Sequence, residues 1–294
     1  MDRRSFVKQL GILALTPTIM KQSIVRGLKE GEIQTDKMPV LFMGHGSPMN
    51  AIEENEFVSG FRSITEDIPQ PTAILVISAH WETNGTFVTA MDQPRTIHDF
   101  GGFPEALYQQ QYPAPGSFEL AEKTTKIITQ TEVRYDYDWG LDHGAWTVLK
   151  HMYPEANIPV IQMSIDYTKD AEYHYQLAKE LSSLRKQGVL IIGSGNIVHN
   201  LRMVDWRNIN TIGAGYDWAF EAMNKLNQFI LDGDHQSLWN YKKLGSAVQL
   251  AIPTPEHYLP LIYSIALQDK DEEICLFNDK ALAGSLTMTS VKIG

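Results

Sequence analysis

Short apolar runs separated by amphipathic stretches dominate the chain from about residue 39 onward. Val40-Leu41-Phe42-Met43, Ala73 to Ile77, Phe87-Val88, Pro159 to Ile165 and Val189 to Ile192 are β-branched or apolar with little polar alternation. Runs apolar on both faces suit central strands of a largely parallel sheet covered on both sides. Between them, residues 170–187 place Tyr173, Leu177, Leu181 and Leu184 at helical spacing, and residues 216–231 do the same with Ala219, Met223, Leu226 and Ile230. This alternation predicts the α/β class: a single domain with a central, mostly parallel or mixed sheet flanked by helices. The Pro/Gly-rich segment 93–116 reads as a long functional loop rather than a linker. There is no internal repeat, and no stretch is long and apolar enough to span a bilayer.

Composition narrows the chemistry. At 43% hydrophobic and 20% charged over 294 residues, the chain can bury a sizeable core and is neither disordered nor fibrous. Net charge is −10, and the first thirty residues are basic, with six basic and two acidic side chains. The acidity therefore lies in the body, which argues against nucleic acid as a partner. A single cysteine, Cys275, excludes an internal disulfide and any multi-cysteine metal site. Chemistry must come from the nine histidines and the carboxylates.

The histidines sit at informative places. His45 follows the first strand in Gly44-His45-Gly46-Ser47-Pro48, His80 follows the second in Ser78-Ala79-His80-Trp81-Glu82, and His199 stands just past the strand ending Gly193-Ser194-Gly195-Asn196. Parallel strands end along one edge, where open α/β proteins place their sites, so these imidazoles should converge on a metal site at the C-terminal strand edge. His257, in Pro255-Glu256-His257-Tyr258, and His143, in Asp142-His143-Gly144-Ala145-Trp146, are further candidates. His98, His151, His174 and His235 read as ordinary hydrogen-bonded side chains.

Neutral imidazoles suit zinc, iron and copper, and residue types do not choose among them. An open zinc site activates water, whereas an open ferrous site binds substrate and dioxygen together. The residues alone leave three readings: an oxygen-using enzyme, a zinc hydrolase on the same histidines, and a metal-binding protein without catalysis. There is no His-Glu-x-x-His, no Gly-x-x-x-x-Gly-Lys, and Gly193-Ser194-Gly195 lacks the third glycine of a dinucleotide fingerprint.

Taken together, the five histidine motifs, with Gly101-Gly102-Phe103-Pro104 and Tyr112-Pro113-Ala114-Pro115-Gly116, resemble the class III extradiol ring-cleaving dioxygenases, in their DOPA 4,5-dioxygenase-like branch. The resemblance implies one divalent metal per chain, zinc or ferrous iron, and a catechol substrate opened with dioxygen to a semialdehyde. It implies His45 and His80 as metal ligands and His257 as the residue completing the site. His199 would be a fourth ligand or an acid/base, and His143 a second catalytic histidine near the substrate. Glu256 beside His257 offers the carboxylate that iron-dependent relatives use; neighbouring side chains diverge, so only one of the two should ligate, and His257 is favoured. Trp81, Trp146, Tyr258 and Phe103 either wall an aromatic pocket or pack in the core.

The N-terminus differs from this body. Arg3-Arg4 precedes Ser5-Phe6-Val7-Lys8 and the short apolar run Leu10 to Leu15, which resembles a twin-arginine export signal. It implies the twin-arginine export machinery as a partner and a periplasmic destination, with the cytoplasm as the alternative. Residues 1–37 thus read as leader and linker, and 38–294 as the dioxygenase-like catalytic domain.

Overall fold

The computed structural model describes residues 37–294, so the leader, apart from Lys37, lies outside the described residues. Ten strands are described: β1 (Val40–Gly44), β2 (Ala73–Thr83), β3 (Thr86–Thr89), β4 (Val133–Asp136), β5 (Val160–Asp166), β6 (Val189–Gly195), β7 (Ile274–Phe277), β8 (Ala281–Leu282), β9 (Leu286–Thr287) and β10 (Ser290–Ile293). The helices are α1 (Glu56–Ser63), α2 (Glu105–Tyr108), α3 (Phe118–Ile127), α4 (His143–Met152), α5 (Ala171–Lys179), α6 (Ser182–Arg185), α7 (Asp217–Leu231), α8 (His235–Trp239), α9 (Ser246–Ala251) and α10 (Leu259–Ile265).

Eight strands form one mixed sheet in the order β4-β3-β5-β2-β6-β1-β10-β7, and β8 pairs with β9 apart from it. The four central strands, β5, β2, β6 and β1, are parallel, while β10, β7 and the β3–β5 contact are antiparallel. Alternate residues of each central strand enter opposite layers. Val40, Phe42, Leu75, Ile77 and Ile191 join one cluster with α5, α7, α9 and α10; Leu41, Met43, Ile74, Val76 and Ile192 join the other with α1 and α4. Both faces of the sheet are covered, which is why these strands are apolar at consecutive positions.

All five anticipated strands are present. Strands β4, β7 and β10, with the two-residue β8 and β9, were not anticipated: β4 carries Arg134 and Asp136 and is half exposed, and β7 is only partly buried. β4 and β7 are the sheet edges, which need less apolar surface and tolerate charge and so carry little signal, whereas β10 is an interior strand of only four residues that alternates Lys292 with apolar neighbours. The pattern over 170–187 holds two helices rather than one. Bonds from Glu180 to Leu177 and from Leu181 to Ala178 tighten the chain there, yet Leu181 and Leu184 still reach the core. Segment 93–116 is irregular except for the single turn α2.

Candidate metal centre

The central parallel strands deliver their C-terminal ends side by side. His45 follows β1 directly, and its N–H donates to the Gly195 carbonyl at the end of β6 (3.1 Å). His80 stands within β2, which runs on to Thr83 past a register slip relative to β5 between Ile77 and Glu82. The strand therefore extends beyond the expected end at Ile77, and the irregularity lies beside the histidine. His257 arrives from the segment before α10, whose carbonyl accepts the Asn196 N–H (2.9 Å). A Cβ on Gly195 would lie 2.1 Å from that carbonyl oxygen, so only glycine lets His257 approach the strand end.

His45, His80 and His257 each present a ring nitrogen within 4.8 Å of the other two. Hydrogen bonding fixes the tautomer of His45. The Ser194 hydroxyl donates its one proton to the Gly144 carbonyl (2.6 Å), so at 3.0 Å from His45 Nδ1 it must accept from that nitrogen. Nε2 of His45 is then a bare lone pair. On His80, Nδ1 faces the Asp99 carboxylate at 3.4 Å, outside hydrogen-bond geometry, so the charge only biases the proton toward that nitrogen without fixing it there. The Nε2 atoms of His45 and His80 stand 3.1 Å apart; with the His80 proton on Nδ1 they are facing lone pairs that a shared cation resolves. Two imidazole nitrogens about 2.0–2.1 Å from one ion, subtending between a right and a tetrahedral angle, stand roughly 2.9–3.4 Å apart. On His257, Nδ1 lies 3.3 Å from Glu256 Oε1, placing that carboxylate behind the ring. The donor set therefore fits a divalent cation held by three neutral imidazoles.

Burial and the neighbouring imidazoles keep the set neutral. Desolvation first, then mutual repulsion, holds His45 and His257 well below the ordinary histidine range. Burial takes His80 to about 3. His199 falls to about 4, mainly by burial and against the pull of Glu256. Neutral imidazole is the ligating form, so this is what a metal site requires.

His143 and His199 flank the three. His143 opens α4, and its ring lies 3.9 Å from that of His80, centre to centre. Asp142 caps this helix by accepting from Ala145 N (3.2 Å), and it also accepts from Ser78 (2.6 Å) and Gln162 (2.7 Å). A Cβ on Gly144 would lie 2.5 Å from Ser78 Oγ and 3.0 Å from the His80 ring, so the second helix residue must be glycine for α4 to seat. His199 stacks on His257, with centroids 3.5 Å apart and planes 11° from parallel. Its ring nitrogen groups with Glu256 and His257, not with His45 and His80.

The other histidines are hydrogen-bonded elsewhere: His98 to Gln110 O, His151 to Asn50 O, His174 to Tyr263 and Asp166 O, and His235 to Tyr175 and Gln268. Trp146 is fully buried and donates to Ile97 O, Tyr258 is fully buried and donates to Leu238 O, and Trp81 stacks on Trp139. These three are core. Phe103 instead packs on Phe100 (5.4 Å), whose ring meets His143 edge-on at 5.6 Å. Phe100 and Asp99 were not anticipated as site residues. Both lie in the loop 93–116, whose length and Pro/Gly content were the only local signal. Asp99 accepts from the His143 backbone N–H (2.8 Å) and from its Nδ1 (3.0 Å). Burial raises its carboxyl pKa, but the bonds from His143 outweigh this and keep it below the usual range.

A mixed α/β sheet with three histidines converging at its strand edge defines an α/β protein with a candidate metal centre, and the comparisons give the family. Residues 38–272 match the family described as the catalytic LigB subunit of aromatic ring-opening dioxygenase. The chain is 44% identical over 272 residues to a 4,5-DOPA dioxygenase extradiol of Escherichia coli K12, covering 91% of this chain and 98% of that one. It is 37% identical over 243 residues to the enzyme of the same name from Mirabilis jalapa, covering 81% and 89%. A crystal structure of an uncharacterized Escherichia coli K12 protein superposes with a TM-score of 0.76 at 40% identity, covering 88% of this chain and all of that one. The chain belongs to the LigB family of ring-opening dioxygenases, and is thereby an oxidoreductase.

Proposed function

We propose that this protein opens the ring of a DOPA-like catechol beside its diol, using dioxygen and one divalent metal held by His45, His80 and His257, and yields a semialdehyde. The observation that carries the reading is the convergence of three neutral imidazoles from remote parts of the chain. The names of the curated relatives support a DOPA-like substrate. When bound, the metal supplies Lewis acidity toward the diol oxygens and, as ferrous iron, electrons for dioxygen; zinc supplies only the first. Ferrous iron is therefore the metal proposed for turnover, with zinc an inactive occupant of the same ligands.

The chain's own residues do the remaining work. His199, neutral and stacked on a ligand, accepts the proton that the diol loses and later returns it. His143 stands on the other side of the ligands and meets the substrate through Nε2. Phe100 and Phe103 offer an apolar edge to the aromatic ring. Glu256 braces His257 from behind. Anaerobic loading with ferrous iron, followed by a catechol panel and dioxygen, tests this: a yellow ring-opened product with matching oxygen uptake is expected. No product from any catechol refutes it, and turnover without dioxygen points to a hydrolase. We also propose export, supported by the Arg3-Arg4 motif. Cell fractionation should find the protein in the periplasm and, with both arginines changed to lysine, in the cytoplasm; an unchanged distribution argues against it.

A further inference from the structure

We propose that Asp99 is a positioning residue that fixes the tautomer of His143, so that His143 meets the substrate with a bare Nε2 rather than an N–H. The kinetic part of this inference rests on the catechol-opening reading above; the tautomer itself does not.

The geometry is a two-pronged clamp. Oδ1 of Asp99 accepts the backbone N–H of His143 (2.8 Å), and Oδ2 lies 3.0 Å from Nδ1 of the same residue. An ionised carboxylate only accepts hydrogen bonds, so Nδ1 must carry the imidazole proton. Nε2 is then left as the acceptor, because the hydrogen bond at one ring nitrogen decides the state of the other. Oδ2 also faces His80 Nδ1 at 3.4 Å, an electrostatic contact outside hydrogen-bond geometry, so His143 is the residue Asp99 controls.

Asp99 does not merely follow His143. Its loop is pinned by the two residues just ahead of it: Trp146 Nε1 donates to the Ile97 carbonyl (2.8 Å), and His98 Nε2 holds the Gln110 carbonyl (2.9 Å). The next residue, Phe100, sets its ring edge-on against His143. The loop thus delivers the carboxylate and the aromatic edge together, one orienting a proton acceptor and the other bounding the space in front of it. The logic is that of a carboxylate holding a catalytic histidine in its working tautomer, where the Asp→Asn change keeps geometry and loses rate.

The variant Asp99→Asn reverses the polarity of one prong. Its amide oxygen still accepts the backbone N–H, while its NH₂ faces Nδ1 and drives the proton to Nε2. Long-range 1H–15N correlation spectra of the zinc-loaded full chain read the tautomer directly. Wild type should show His143 protonated at Nδ1, and D99N should show it at Nε2. With ferrous iron, D99N should lose at least about 100-fold in kcat, with KM within threefold and metal content still one per chain. On a His143→Ala background the same change should cost less than threefold. A wild-type His143 protonated at Nε2 overturns the proposal without any variant. So does loss of metal in D99N, or an equal cost of D99N with and without His143. If no catechol is opened, the functional reading fails, and the spectra still decide the role of Asp99.

Discussion

Replacing Ser194 with alanine tests how the metal site is built. Its hydroxyl is fully buried at the end of β6, accepting from His45 Nδ1 at 3.0 Å and donating to Gly144 O at 2.6 Å. Alanine leaves the buried His45 Nδ1–H without its acceptor, at about 1–3 kcal/mol, while the Gly144 carbonyl lies within α4 and loses only an extra donor. For a domain of this size, that corresponds to a fall in Tm of roughly 2–12 °C. Stability alone would not implicate the centre. The second consequence does: without Ser194, nothing holds the proton on Nδ1, and His45 can carry it on the nitrogen that must ligate. Loss of such an outer partner costs about 10–100-fold in metal affinity, or about 1.4–2.7 kcal/mol. Competition between the protein and a chromophoric chelator for zinc measures it. Ser264→Ala is the control, since Ser264 is equally buried and donates to Leu41 O at 3.0 Å but touches no histidine. It should lower Tm without weakening metal binding. A Ser194→Ala protein that binds zinc as tightly as wild type refutes the tautomer argument, and so does an equal loss of affinity in the control.

Three further outcomes follow from the same geometry. His257→Ala should abolish stoichiometric metal binding, whereas Glu256→Gln should retain one metal per chain with affinity lowered by about 10-fold or less; elemental analysis of the two variants decides which residue ligates. Metal-free protein should be acid-labile. His80 near 3, with His174 and His199 near 4, lie below their unfolded value of about 6.5, so stability is full above that value and falls as the unfolded chain takes up protons the fold refuses. The slope between about pH 6 and 4.5 should reach roughly 1.4 kcal/mol per pH unit for each histidine, and denaturant midpoints that stay flat from pH 7 to 5 would contradict it. Phe100→Ala should raise KM for catechols by about 5–10-fold, the equivalent of about 1–1.4 kcal/mol of lost aromatic contact, with metal content unchanged; steady-state kinetics at fixed dioxygen measure it.

Much of the fold is written locally. Val40 to Met43 and Val189 to Ile192 are apolar at every position because both faces of a central strand are covered, and that pattern needs no partner to be read. Strands β4 and β7 were illegible because edge strands are stabilised by backbone pairing to a neighbour, which side-chain pattern does not encode. Likewise the helical spacing over 170–187 is real, but whether it is one helix or two depends on packing around Leu181 and Leu184.

The site divides along the same line. The sequence by itself determined that His45, His80 and His199 stand at or near strand ends, and that glycines flank His45 and follow His143. Only the tertiary structure decided that His257 rather than Glu256 faces His45 and His80, that His199 stacks on His257 instead of joining that group, and that Asp99 and Phe100 lie beside the histidines. The physical reason is distance along the chain. A lone pair is aimed by the partner of the opposite ring nitrogen, and for His45 that partner lies 149 residues away, for His143 44 residues away. Spacing within a motif carries residue type and backbone direction, whereas protonation and aim are set by contacts that exist only after the sheet has assembled.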